Sequence, residues 1–145
     1  MTTVALDSNI LVAAFEPSSP AFDLTTALLR TSVDRGIEFV TPPFCIGEFW
    51  RVATEPSGYG RGVEAATAFL REWIRLAPVA ALRPRFASAV LEDLGRVRPL
   101  GAAVFDVLIG ASARDAGASQ LWTFDQRFPS IERLRVVRRP LLEVS

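Results

Sequence analysis

Short apolar runs alternate with helical patterns along the whole chain, and this alternation constrains the fold more than any other feature. Thr3-Val4-Ala5-Leu6 reads as a strand, ending in the turn and cap residues Asp7-Ser8-Asn9. Residues 37–40, 120–124 and 134–137 read as further strands, and 79–82 as another short one. Between them, helical periodicity covers 10–15, 21–35, 44–54, 63–76, 84–97 and 103–116. Phe22, Thr25, Leu29 and Val33 mark the inner face of the second of these. Pro42-Pro43 opens the third, while Gly36 and Gly117 stop the second and sixth. Strands alternating with helices predict an α/β fold around a largely parallel sheet. The 145 residues hold no linker, so residues 1–145 form a single domain.

The missing residue types narrow the chemistry. The chain has no His, and its 16 cationic side chains are all Arg. Without His, Ser–His–Asp and Cys–His mechanisms are excluded. Without Lys, so are a Walker A loop, a protein-kinase site and a Schiff-base cofactor. The lone Cys45 forms no internal disulfide, and Cys/His zinc sites are excluded. If the chain is an enzyme, its reactive groups are carboxylates, which suit hard cations such as Mg²⁺ or Mn²⁺. Residues 100–113 form the longest apolar stretch, but Asp106 interrupts it, so no membrane span is expected. The first residues lack a charged leader, and together with the lone cysteine this reads as cytoplasmic. Zero net charge gives no overall nucleic-acid footprint. The local group Arg133, Arg135, Arg138 and Arg139 reads as a solvated strand edge.

Four acids stand apart. Sites in parallel α/β sheets form beyond the carboxyl ends of strands, where Asp7 and Asp125 both fall. Glu48 and Asp106 sit in apolar helical runs, where a carboxylate is costly unless it is paired or binds a metal. Gly110 and Ala113 share the face of Asp106 and admit a close approach. Each acid also has a purely structural reading. Asp7 would cap the helix after it, Asp106 would complement a helix N-terminus, Glu48 would pair with Arg51, and Asp125 would shape a turn. Four such acids in one His-free chain favour a shared metal site.

These residues carry a family resemblance spanning nearly the whole chain. Residues 4–11, with Asp7-Ser8-Asn9, resemble the opening strand and first acid of PIN domains, and within them of the VapC-type toxins. Gly47-Glu48-Phe49-Trp50-Arg51 and the loop Ala53-Thr54-Glu55-Pro56 resemble the second-acid segment. Asp106-Val107-Leu108-Ile109-Gly110-Ala111 is similar to the third-acid helix, and Thr123-Phe124-Asp125-Gln126-Arg127-Phe128 to the closing signature. Many members carry another Asp two residues after the fourth acid. Here that residue is Arg127, which leaves the number of metal ions open.

The resemblance implies a three-layer α/β/α PIN-like fold and an endoribonuclease acting on RNA. It further implies a cognate antitoxin protein that silences the activity, and a homodimer. On this reading Asp7, Glu48, Asp106 and Asp125 are the catalytic, Mg²⁺-binding residues, with Mn²⁺ the other candidate ion. Asn9 and Thr123 would orient carboxylates or water, or serve as ordinary cap and strand hydrogen bonds. Arg51 and Arg114 are candidates for phosphate contacts, with local ion pairing the stronger reading. Phe15, Phe22, Phe49, Trp50 and Trp73 read mainly as core, and otherwise as walls of an antitoxin groove. Two alternatives stay open: a catalytically inactive PIN-fold binding module, and another Mg²⁺-dependent phosphohydrolase. Asn9, where a haloacid-dehalogenase-type enzyme would carry Asp, and the missing Lys count against the second.

Overall fold

A computed structural model describes residues 2–144 of the chain. In order these form β1 (Thr3–Leu6), α1 (Ser8–Phe15), α2 (Phe22–Asp34), β2 (Glu38–Val40), α3 (Pro43–Thr54) and α4 (Val63–Leu76). Then follow α5 (Phe86–Val97), a 3₁₀ turn (Gly101–Ala103), α6 (Val104–Asp115), β3 (Gln120–Trp122), β4 (Arg135–Val137) and α7 (Leu141–Val144). The strands make one sheet in the order β2-β1-β3-β4, and every pairing is parallel. The register sets Ala5 of β1 beside Val40 on one side and Leu121 on the other.

Alternate side chains of each strand point to opposite faces, and both faces are covered. Val4, Leu6, Trp122 and Val137 enter one buried cluster with residues of α1, α2, α3 and α4. Ala5 and Leu121 enter a second with Ile109 and Ala113 of α6. The result is a three-layer α/β/α arrangement: alternation predicted the parallel α/β sheet, and the family resemblance implied the three layers. Rings fill the first layer: Phe15, Phe49, Phe69 and Trp73 contact one another at centroid separations of 5.2–5.6 Å. The Trp73 indole also donates to Thr41 Oγ1 at 2.8 Å, tying α4 to the end of β2. Phe15, Phe49 and Trp73 are thus core residues, as their spacing suggested.

Helix α6 is buried on nearly all sides because it lies between the sheet and α5. Gly110 is required there: a Cβ would sit 2.6 Å from Ile131 Cγ1. The close approach expected at this small-residue face is therefore made by the protein's own Ile131.

Three details depart from the sequence reading. Residues 79–82 are not a strand: Val79 makes a single parallel bridge to Thr41. Ala80 N donates to Thr41 O at 2.9 Å, but after Thr41 the chain turns into Pro42-Pro43 and α3, so nothing remains for residues 81–82 to pair with. The inner face of α2 is Thr25, Leu28, Leu29 and Ser32, while Val33 is 46% exposed. Helix α7 is only 4 residues long, too short to leave a periodic signal. Among the described residues, no helix is long and apolar enough to cross a membrane.

Candidate active site

The strand order places one crevice above the others. From β1 the chain first builds β2 on one side, then crosses to build β3 on the other. Crossovers diverge at that reversal, leaving a gap outside the carboxyl ends of β1 and β3. Asp7 follows β1 directly, and Thr123 and Asp125 follow β3.

Asp7 is buried, 4% exposed, and caps α1. Its Oδ1 accepts from Ser8 N at 2.7 Å, and its Oδ2 accepts from Thr123 Oγ1 at 2.7 Å and from Asn9 Nδ2 at 3.4 Å. The cap reading is thus correct for this residue, but it occupies only part of the carboxylate. Burial raises its pKa more than the Thr123 and Ser8 bonds lower it, and the Asp125 charge raises it further.

Asn9 and Thr123 form the brace around Asp7. Asn9 Nδ2 donates to Thr123 Oγ1 at 3.0 Å, and Asn9 Oδ1 accepts from Phe124 N at 3.1 Å. That last bond pulls Phe124 off the sheet edge, which is why β3 stops at Trp122 although residues up to 124 fit a strand pattern. Thr123 Oγ1 also accepts from Asp125 N at 3.0 Å. Asp125 shapes a turn, its Oδ1 accepting from Arg127 N at 2.8 Å.

Glu48 is half-buried on α3, and Asp106 is half-buried in the first turn of α6. Burial raises the Glu48 pKa, the Asp7 charge adds to this, and Ser8 and Arg51 oppose it. Asp106 is pushed up to about 6 by burial, then by the charges of Asp7, Asp125 and Glu48. A carboxylate that senses three others in this way faces the same small region that they do. Ser8 links two of them: its Oγ lies 3.4 Å from both Asp7 Oδ1 and Glu48 Oε1.

The donors are all oxygen and carry excess negative charge, which suits a hard divalent cation in kind. Among the described residues, however, no three acidic, Cys or His side chains stand close enough to grip one ion as they are. Ser8 is the contact that sequence reasoning missed; its place between Asp7 and Asn9 was the available signal. The pairing of Glu48 with Arg51 is not made, since Arg51 bonds Glu55 at 3.3 Å. Arg114 is likewise committed, to Asp93 and to the Glu132 carbonyl, so it is no free phosphate contact. Of the C-terminal arginines, Arg135 pairs with Glu143 and Arg138 donates to the Phe128 carbonyl.

The family model for the PIN domain matches residues 4–134. The chain belongs to the PIN-domain family. Solved structures share the fold of this PIN domain at low identity. One is the VapBC2 complex of Rickettsia felis bound to a DNA fragment from its promoter (TM-score 0.67, 16% identity, 93% of this chain and 97% of that one). Another is VapC20 of Mycobacterium tuberculosis, described as a sarcin–ricin loop cleaving toxin (0.67, 17%, 86% and 92%). A third is VapBC-1 of nontypeable Haemophilus influenzae (0.67, 15%, 93% and 96%). No curated protein matches the chain significantly.

Proposed function

We propose that this PIN domain is a divalent-cation-dependent endoribonuclease and the toxin member of a toxin–antitoxin pair. One observation supports the catalytic part: at the switch point of the sheet Ser8 Oγ lies 3.4 Å from both Asp7 and Glu48, Thr123 Oγ1 bonds both Asp7 and the Asp125 amide, and Asp106 is near enough for their charges to raise its pKa. Their repulsion is relieved by a cation, so the cluster is a binding site whose empty form is disfavoured. The toxin assignment draws on fold likeness to VapC20 and to the VapBC complexes. It brings with it a cytoplasmic setting, an antitoxin partner and a homodimer.

Mg²⁺ is the ion this donor set favours, with Mn²⁺ as a substitute. Bound between the carboxylates, it would lower the pKa of water near the scissile phosphate and offset phosphoryl charge. The chain's own residues supply the rest. Thr123 and Asn9 fix Asp7 in one orientation beside the crevice. Ser8 spaces Asp7 from Glu48. Glu48 projects from α3 and Asp106 from the buried α6, and rotation about their side-chain bonds would let them close on an ion. Asp125 stays anchored by the Arg127 amide. His is not required for any of these roles.

Asp106→Asn should abolish Mg²⁺-dependent RNA cleavage, with a fall of at least about 100-fold, while circular dichroism stays that of the wild type. Cleavage retained by the purified variant sinks the assignment. The inactive binding module is the second reading, favoured by the lack of a ready-made three-acid cage and by Arg127. Calorimetric titration with Mg²⁺ separates the two: heat from the wild type and none from Asp106→Asn supports the enzyme.

A further inference from the structure

A cavity of about 320 Å³ adjoins the acid cluster, and Ser8, Asn9 and Glu48 belong to both. Its other walls include Val52, Tyr59 and Phe124. Two of these walls are held in place by bonds that the acids do not need. Asn9 Oδ1 fixes the Phe124 backbone at 3.1 Å. Tyr59 stands on the loop between α3 and α4, and its N–H donates to Val52 O at 2.9 Å. That contact depends on Gly58, where a Cβ would lie 2.3 Å from the same carbonyl oxygen.

The loop is locked again one step further on. Arg61 N donates to Ala53 O at 2.7 Å, and the Arg61 guanidinium grips Glu16 through two bonds of 2.6 and 2.8 Å. Glu16 is 1% exposed, so this is an acid buried away from the cluster and spent on anchoring. Tyr59 nevertheless stays 37% exposed. A partly exposed ring on a backbone held this firmly, lining the same cavity as the half-buried Phe124, offers a stacking surface.

We infer that the Tyr59–Phe124 cavity is a nucleobase subsite, seating the base of a nucleotide whose phosphate lies at the acid cluster. Resting on the ribonuclease reading, this assigns residues that choose where the RNA is cut. The cavity holds a single flat base with room to spare, its aromatic walls suit stacking, and the Ser8 hydroxyl oxygen can accept a hydrogen bond from a base edge. RNA is favoured over a partner protein because the cavity shares Glu48 with the cluster, so its occupant is continuous with whatever the acids hold. Glu16 and Arg61 are positioning residues for Tyr59.

The test is equilibrium binding of the four ribonucleoside 5′-monophosphates and of ribose 5-phosphate to the full chain in Mg²⁺, followed by NMR. At least one nucleotide should bind about 10- to 100-fold tighter than ribose 5-phosphate, the span that stacking of one base covers. Tyr59→Ala should reduce that nucleotide to the ribose 5-phosphate level, and Tyr59→Phe should restore it, with Mg²⁺ affinity unchanged in both. Nucleotides that bind no better than ribose 5-phosphate overturn the subsite, as does a Tyr59→Ala variant that keeps the preference. A Tyr59→Ala variant that keeps the preference but releases a co-purifying protein assigns the cavity to that partner and overturns it as well. Failure of the nuclease reading is seen separately, as the absence of both Mg²⁺ heat and RNA cleavage in the wild type.

Discussion

Glu16 and Asp106 are both acids in protected surroundings, and their neighbours drive them in opposite directions. Arg61 beside Glu16 lowers its pKa to about 2 from an ordinary 4.5, outweighing burial. Asp106 rises to about 6 from 3.8, through burial first and then through its acidic neighbours. The two shifts have opposite linkage. A carboxyl lowered in the folded state stabilises the fold above its unfolded value, and this contribution is lost as pH falls toward the folded value. For Glu16 the contribution is complete above about pH 5 and declines from 4.5 toward 2. Glu16→Gln should therefore lower the urea midpoint at pH 7, and the gap to wild type should narrow as the pH is lowered from 4.5 to 3. A gap that stays constant across that range would show that Glu16 does not stabilise the fold as a charge.

At the level of elements, the interlock of α6 with the 131–134 turn decides how exactly Asp106 is presented. Gly110 lies one turn beyond Asp106, directly under Ile131. Gly110→Ala would force Ile131 aside, and overpacking of this kind costs about 1–3 kcal/mol. Adding Ile131→Val removes one methyl from the contact and should recover part of the loss. Thermal melts of the single and double variants read this coupling, and strict additivity would mean that the contact is not the cause.

The elements differed in how readily they could be read. Helices α3 and α4 were visible within a residue because Pro43 opens one and long apolar periodicity marks the other. The strands were visible because Val4 to Leu6 of β1 and Leu121 and Trp122 of β3 are buried on both faces and so form unbroken apolar runs. Asp7 and Asp125 could be placed from strand ends alone. Where Glu48 and Asp106 stand relative to them could not, since that depends on how α3 and α6 pack around the sheet. Residues 79–82 misled because strand character shows in one segment, whereas a strand needs a partner, and Pro42 removes it. Ion pairing was the stronger reading for Arg114 and it holds, but its partner Asp93, 21 residues away in sequence, is defined only by the fold.

For the molecule as a whole, the acid cluster sets stability against function. Burial and mutual repulsion of Asp7, Glu48 and Asp106 oppose folding near neutral pH, because each folded carboxyl is harder to ionise than the unfolded one. Removing one charge should stabilise the metal-free protein. For Asp106→Asn the gain is on the order of 1 kcal/mol at pH 7.5, after discounting a half-exposed group for solvent screening. A divalent ion should do more to the wild type, since anything that binds only the folded state stabilises it by mass action. At 100 times its dissociation constant the gain is about 2.7 kcal/mol. Two melts of each protein, in EDTA and in saturating Mg²⁺, test both effects together. Without metal, Asp106→Asn should melt a few degrees above wild type; with Mg²⁺ the order should reverse, because only the wild type gains. If Mg²⁺ leaves the wild-type melt unchanged, the carboxylates form no metal site. If Asp106→Asn melts lower without metal, Asp106 holds the fold together through contacts, and its charge is not the liability described here.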